Sequence, residues 1–343
     1  MTPAADGAAV SRRGFLTRPC RRRQAGGADE ARGYWIRVCR WAMACRFEIT
    51  LAGEDGAFAP AAKAALDEID QLEDELSVFR ATSTISAVNR RAAEQPVVVP
   101  RYLIDLLAEC QQLHRETDGA FDITSAPLSR CWGFLRRNGQ VPDPEAIAAS
   151  RALVGFDAVH LDRHERAVCF TRAGTELNMG AIGKGYALDR AGSGLRATGV
   201  QHALFSAGRS SILAIGGHGD GWQIELVSPQ IAARPLAILT LRDAAVGTSG
   251  AGVQFFVEDG RRYGHVIDPR TGWPARGVLS VSVVASDATR ADALSTAFFV
   301  GGIALAERYC ATHPDVLALV TPDAGSRRPV AVGGRSGVRL AIC

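Results

Sequence analysis

Val253-Gln254-Phe255-Phe256-Val257-Glu258-Asp259-Gly260-Arg261-Arg262-Tyr263-Gly264-His265-Val266-Ile267 is the stretch on which the fold class turns. Asp-Gly between two strand-like runs is a strong signal for a two-residue type I′ hairpin, because both central residues of that turn need positive φ. The runs 253–258 and 262–267 are therefore expected to pair antiparallel. Outward from this hairpin, short strand-like runs recur at 203–206, 212–215, 223–227, 236–241 and 279–284, and helical periodicity interrupts them at 186–197 and 291–309. In the first half, 45–51 alternates like a strand. Leu66, Ile69, Leu72 and Leu76 then share one face of a helix over 60–76, and Leu103, Leu106, Leu107, Cys110 and Leu113 suggest a second helix. Hairpins with separately placed helices favour an α+β fold, mostly antiparallel sheets with packed helices in two intimately associated lobes, over a doubly wound parallel sheet.

The 343 residues, 47% hydrophobic and 22% charged, suffice for a sizeable core. A net charge of +3, much of it from six arginines between Arg12 and Arg23, leaves the folded body near neutral and argues against nucleic acid as the main partner. No run of about 18 apolar residues is present, so no transmembrane helix is expected. Eight cysteines without a C-x-x-C pair read as reduced, mostly buried thiols. Ser11-Arg12-Arg13-Gly14-Phe15-Leu16 looks like a twin-arginine export signature, yet Thr17, Arg18, Pro19, Cys20 and three more arginines replace the apolar stretch such a signal needs. Residues 1–33 thus read as a disordered basic tail of a cytoplasmic protein or as a degenerate export signal to the periplasm or membrane. Residues 34–343 read as one domain without internal repeats.

Three constellations could carry chemistry. Asn178-Met179-Gly180-Ala181-Ile182-Gly183-Lys184-Gly185-Tyr186-Ala187-Leu188-Asp189 leads into a helix, where glycines let main-chain amides approach an anion and the helix start adds partial positive charge. It lacks the glycine spacing and the Ser or Thr after lysine of a Walker A loop, and taken alone an ordinary tight connection into a helix is the plainer reading. Asp292 and Thr296 stand one helical turn apart, so a carboxylate and a hydroxyl could share one hard cation such as Mg²⁺; a threonine bonded back to its own helix is the plainer alternative. His265 precedes a Pro269-Arg270-Thr271-Gly272 turn, either as a structural imidazole or as a base working near neutral pH.

Taken together with Met43, Ser77-Val78-Phe79-Arg80 and Gly119-Ala120-Phe121-Asp122-Ile123-Thr124, this order of motifs resembles the FAD:protein FMN transferases, the ApbE-type family, over about residues 40–320. The resemblance implies an ApbE-like fold and an enzyme that takes FAD as substrate. With Mg²⁺ it would move the FMN half to a Thr or Ser hydroxyl of a partner protein and release AMP. It further implies that Met43, Phe79, Ala120, Phe121, Asp122 and Ile267 lie by the flavin nucleotide and that Lys184 faces its pyrophosphate. Gly183 (through its carbonyl), Asp292 and Thr296 would hold the metal, and His265 would activate the incoming hydroxyl. Two readings compete: an FAD pyrophosphatase with water as nucleophile, and a flavin-binding or trafficking protein without catalysis.

Departures exist. Relatives often carry Gly-Gly-Asp where this chain has Ala207-Gly208-Arg209-Ser210-Ser211, and Gly-Thr where it has Ala44-Cys45. Thr248-Ser249-Gly250-Ala251-Gly252 is similar to the motif of flavinylated acceptors, but Gly252 stands where the accepting hydroxyl belongs, so a separate acceptor protein is expected.

Overall fold

The computed structural model describes residues 17–19 (main chain), 34–227, 235–252, 254–325 and 328–343. Its centre is an eight-stranded sheet in the order Val330–Gly333, Leu317–Pro322, Val278–Ala285, Ala244–Gly250, Ser211–Ile215, Ala203–Ala207, Cys45–Ala52 and Trp35–Ala42, every neighbour antiparallel. Both faces are covered, which is why Val278–Ala285 is buried at every position, Ser280 and Ser282 included.

Successive residues of these strands point into different cores. Phe205, Leu213, Ile215, Val281 and Val283 face the larger core, which the helices Ala59–Leu76, Gly183–Ala197 and Ala288–Thr312 complete. Leu204, Ile212, Ala214, Val246 and Val284 face a second core closed by Trp222, Ile224, Leu239 and Leu241. Those four belong to a smaller antiparallel sheet of Thr17–Pro19, Trp222–Val227, Pro235–Leu241 and Val338–Ile342. Leu66, Ile69, Leu72 and Leu76 form the buried face of the helix Ala59–Leu76, as its periodicity predicts.

The deciding hairpin is present: Phe255–Glu258 pairs with Arg261–Gly264, Glu258 opposite Arg261, with Asp259 at φ 50° and Gly260 at φ 70°. Its second strand is shorter than the expected 262–267, ending at Gly264, so His265 stands just beyond it. The hairpin rests on a separate cluster of Leu128, Trp132, Phe134, Ile147, Tyr263 and Ile267. Val253 and the twin-arginine motif lie outside the described residues. Within the tail expected to lack structure, Thr17–Pro19 instead pairs with Trp222–Val227, an outcome set by the open edge of the smaller sheet. The cysteines differ from expectation as well: of the seven described, all free, only Cys110 and Cys310 are buried. Among the described residues no helix is long and apolar enough to cross a membrane.

Candidate active site

The helix Ala288–Thr312 brings Asp292 to the middle of the site, and glycines make that approach feasible. A Cβ at Gly247 would stand 2.2 Å from the Ala291 carbonyl oxygen, and one at Gly185 would stand 2.0 Å from that of Ala288. Only glycine lets the sheet and the start of Gly183–Ala197 come this close to the helix. The helix start is capped twice: Asp287 accepts the Arg290 N–H at 2.8 Å, and Asp189 accepts the N–H groups of Ala288 and Thr289 at 2.8 Å each. Burial pushes the Asp189 carboxyl up to about 6 against these hydrogen bonds.

Asp292 is 5% exposed. Its Oδ2 accepts the Gly185 N–H at 2.8 Å and its Oδ1 the Ser211 hydroxyl at 2.6 Å. Burial raises the pKa of this carboxylate, and the charge of Lys184 with the two hydrogen bonds opposes the rise. Lys184, in the first turn of its helix, donates from Nζ to the Ser210 hydroxyl. Its ammonium lies within electrostatic reach of Asp292, His265 and Cys45 alike, so these motifs share one locality. Thr296 Oγ1 is 3.2 Å from Ser249 Oγ and 3.5 Å from the Asp292 carbonyl oxygen, the helical back-bond weighed from the sequence. Ser249 Oγ also meets Ser295 Oγ at 2.8 Å.

Among the described residues no group of three His, Cys, Asp or Glu side chains comes together. The Asp292 carboxylate with the Ser211 hydroxyl, and the Ser249–Thr296 hydroxyl pair at the next turn of the same helix, offer oxygen donors only. They suit a hard cation that completes its shell with water and substrate phosphate. Gly183, buried, opens the helix next to Lys184.

His265 sits beyond the hairpin, its main-chain N–H and its Nδ1 both 3.1 Å from the Gln254 carbonyl oxygen. A carbonyl only accepts, so Nδ1 carries the proton and the neutral ring keeps its lone pair on Nε2. Burial lowers the pKa of this imidazole, the Gln254 carbonyl works against the fall, and the charge of Lys184 adds to it.

The remaining expected residues divide. Met43 and Ala44, at φ 48° and 58°, form the two-residue turn between Trp35–Ala42 and Cys45–Ala52; Met43 packs on the main core while burial pushes the Cys45 thiol up to about 11. Phe79 is 75% exposed, a free aromatic face. Ala120, Phe121 and Asp122 are buried, so the Phe121 ring is no exposed face as that of Phe79 is. Ile267 belongs to the cluster beneath the hairpin. Sequence reasoning gave Ser211, Ser249, Gly247 and Asp189 no part in holding the site, because those parts arise only from contacts between distant segments. A cavity of about 410 Å³ opens elsewhere, beside Arg130, Val141, Asp143 and Ser150, and no candidate residue lines it.

An α+β sandwich with a buried carboxylate, a lysine and a neutral histidine around one oxygen-rich locality defines the class, and residues 43–320 match the model of the ApbE family. The chain belongs to the ApbE family. It is 36% identical over 291 residues to the FAD:protein FMN transferase of Treponema pallidum, covering 77% of this chain and 79% of that protein. It is 34% identical over 245 residues to an FAD:protein FMN transferase of Klebsiella pneumoniae, covering 71% and 75%. Among solved structures, the ApbE protein of Thermotoga maritima superposes with a TM-score of 0.78 at 30% identity, covering 85% of this chain and 96% of that one. The Pseudomonas stutzeri flavinyl transferase ApbE gives 0.74 at 30% identity, covering 89% and 96%.

Proposed function

We propose that this chain is an FAD:protein FMN transferase that uses Mg²⁺, delivers FMN to a Thr or Ser hydroxyl of a separate acceptor protein and releases AMP. The observation that carries the reading is the shared locality of Lys184, Asp292 and the neutral His265. In the reaction, the acceptor oxygen attacks the FMN-side phosphorus of FAD, the anhydride P–O bond breaks, and AMP departs with the bridging oxygen. His265 takes the hydroxyl proton on Nε2 as the new ester bond forms. Lys184 pairs with the pyrophosphate, and the main-chain amides at the start of Gly183–Ala197 favour its negative charge. Asp292, Thr296 and the Gly183 carbonyl would hold Mg²⁺, which when bound neutralises charge developing on the anhydride oxygens. Met43, Phe79, Ile267 and the 120–122 loop would flank the flavin nucleotide.

The test is incubation of the purified protein with FAD, Mg²⁺ and an acceptor domain bearing a candidate threonine. The acceptor is expected to gain the mass of FMN less water while AMP appears in equal amount. FMN and AMP released with an unlabelled acceptor would instead make the protein a pyrophosphatase.

A further inference from the structure

We infer that Ser210 and Ser211 are positioning residues, a two-hydroxyl relay that ties the Lys184 ammonium to the Asp292 carboxylate and holds both in register. The inference rests on the flavin-transfer reading for its consequence, but its geometry stands apart from it. The chain of bonds has one consistent direction. Lys184 Nζ has only protons to give and donates to Ser210 Oγ. Asp292 Oδ1 can only accept in its charged form, and Ser211 Oγ gives it a proton at 2.6 Å. Ser211 has then used its single proton, so the 3.3 Å contact between the hydroxyls must run from Ser210 Oγ to Ser211 Oγ. Each hydroxyl therefore accepts once and donates once, and two opposite charges are joined without touching.

The main chain under the relay is fixed. Ser211 is 0% exposed and pairs with Gly247, the residue whose missing Cβ admits the helix that carries Asp292. The Ser210 carbonyl accepts the Thr248 N–H at 2.6 Å. Removing the Ser211 hydroxyl would leave Oδ1 of a buried carboxylate without the one donor it has among the described residues. The carboxylate would then turn toward Gly185 or Lys184 and away from the position in which it meets a cation. Partners that orient a ligating group in this way typically alter metal affinity by about 10–100-fold. Ser210 acts on the other end, so its loss should free Lys184 and weaken the hold on the pyrophosphate.

Two measurements test this. Calorimetric titration of MgCl₂ into nucleotide-free Ser211→Ala should show binding weaker by about 10-fold or more. Ser211→Cys, close in shape but a weak donor, serves the same purpose should the alanine variant not fold. Ser210→Ala should raise the KM for FAD with a smaller change in kcat. Independently of metal, the pair Lys184→Met and Ser211→Ala, unfolded by denaturant in EDTA, should depart from additivity by a factor of about 3 or more in the unfolding equilibrium constant. Folded Ser211 variants that bind Mg²⁺ as the wild type does, or an additive cycle, would overturn the relay. If the wild type transfers no FMN, the functional reading fails, while the cycle in EDTA still decides the relay.

Discussion

Asp122 and Asp292 are both buried carboxylates in motifs that point to one site, and they are held in opposite ways. Asp122 is satisfied at close range: its Oδ1 accepts the N–H and O–H of Thr124 at 2.7 and 2.6 Å, and its Oδ2 lies 3.2 Å from His114 Nδ1. Thr124 in turn accepts the Gly155 N–H at 2.8 Å, so the carboxylate closes its own loop and has a cationic partner available. Asp292 draws its two donors from residues 107 and 81 positions away, and neither is charged. A buried carboxylate without a contacting cation is costly, and the proposed metal ion would lower that cost. Burial alone therefore does not mark function; the source and charge of the partners do.

The sharpest test of that contrast is Asp292→Ala. Loss of the proposed ligand should cut FMN transfer by about 1,000-fold or more, since metal stabilisation of the transition state is worth several kcal/mol. Asp122→Asn should leave transfer measurable. A full wild-type rate in Asp292→Ala would break the assignment.

Replacing His265 by Gln should slow transfer by about 100–10,000-fold, the range for a general base. In the wild type the sign of the pH dependence is set by burial, which lowers the His265 pKa. The ring stays neutral below the ordinary histidine value of about 6.5. The acid limb of the pH–rate profile should therefore fall below that value, and a midpoint above it would count against His265 as the base.

Asp122→Asn should lower stability by about 1–3 kcal/mol through buried donors left poorly matched, read as a lower midpoint in urea. His114 supplies a pH signature. Burial pulls its pKa down, but the Asp122 hydrogen bond and charge and the Phe121 carbonyl outweigh that, and the net shift is upward. A raised folded value gives stability that is complete below the unfolded histidine pKa of about 6.5 and is lost as pH rises through the folded value. Asp122→Asn should flatten that decline.

The smallest effect belongs to Ala44. At φ 58° in the Met43-Ala44 turn it adopts a conformation that costs a non-glycine residue about 1–2 kcal/mol. Ala44→Gly should raise the melting temperature slightly and leave the Asp292 region unchanged.

Much of the fold was legible because its signals are local. Asp259-Gly260 specified its turn, and the leucines of Ala59–Leu76 specified their face. The strand Ala244–Gly250 escaped notice because alanine and glycine, four of its seven residues, carry little strand signal. Its small residues answer instead to the helix that lies on Gly247. Trp35–Ala42, an edge strand largely exposed on one face, was hidden beside the basic tail.

In the site, Lys184, Asp292, Thr296 and His265 stood out because their residue types and spacing are themselves chemical statements. The sequence by itself determined the antiparallel α+β class, the helix faces and the identity of those groups, since turn conformation, periodicity and side-chain chemistry depend on near neighbours. Tertiary structure alone decided that Ser211 and Gly185 hold Asp292, that Ser210 holds Lys184 and that Gln254 sets the His265 tautomer. Hydrogen bonds between segments far apart in the chain exist only once packing has fixed both ends, and no local pattern encodes them.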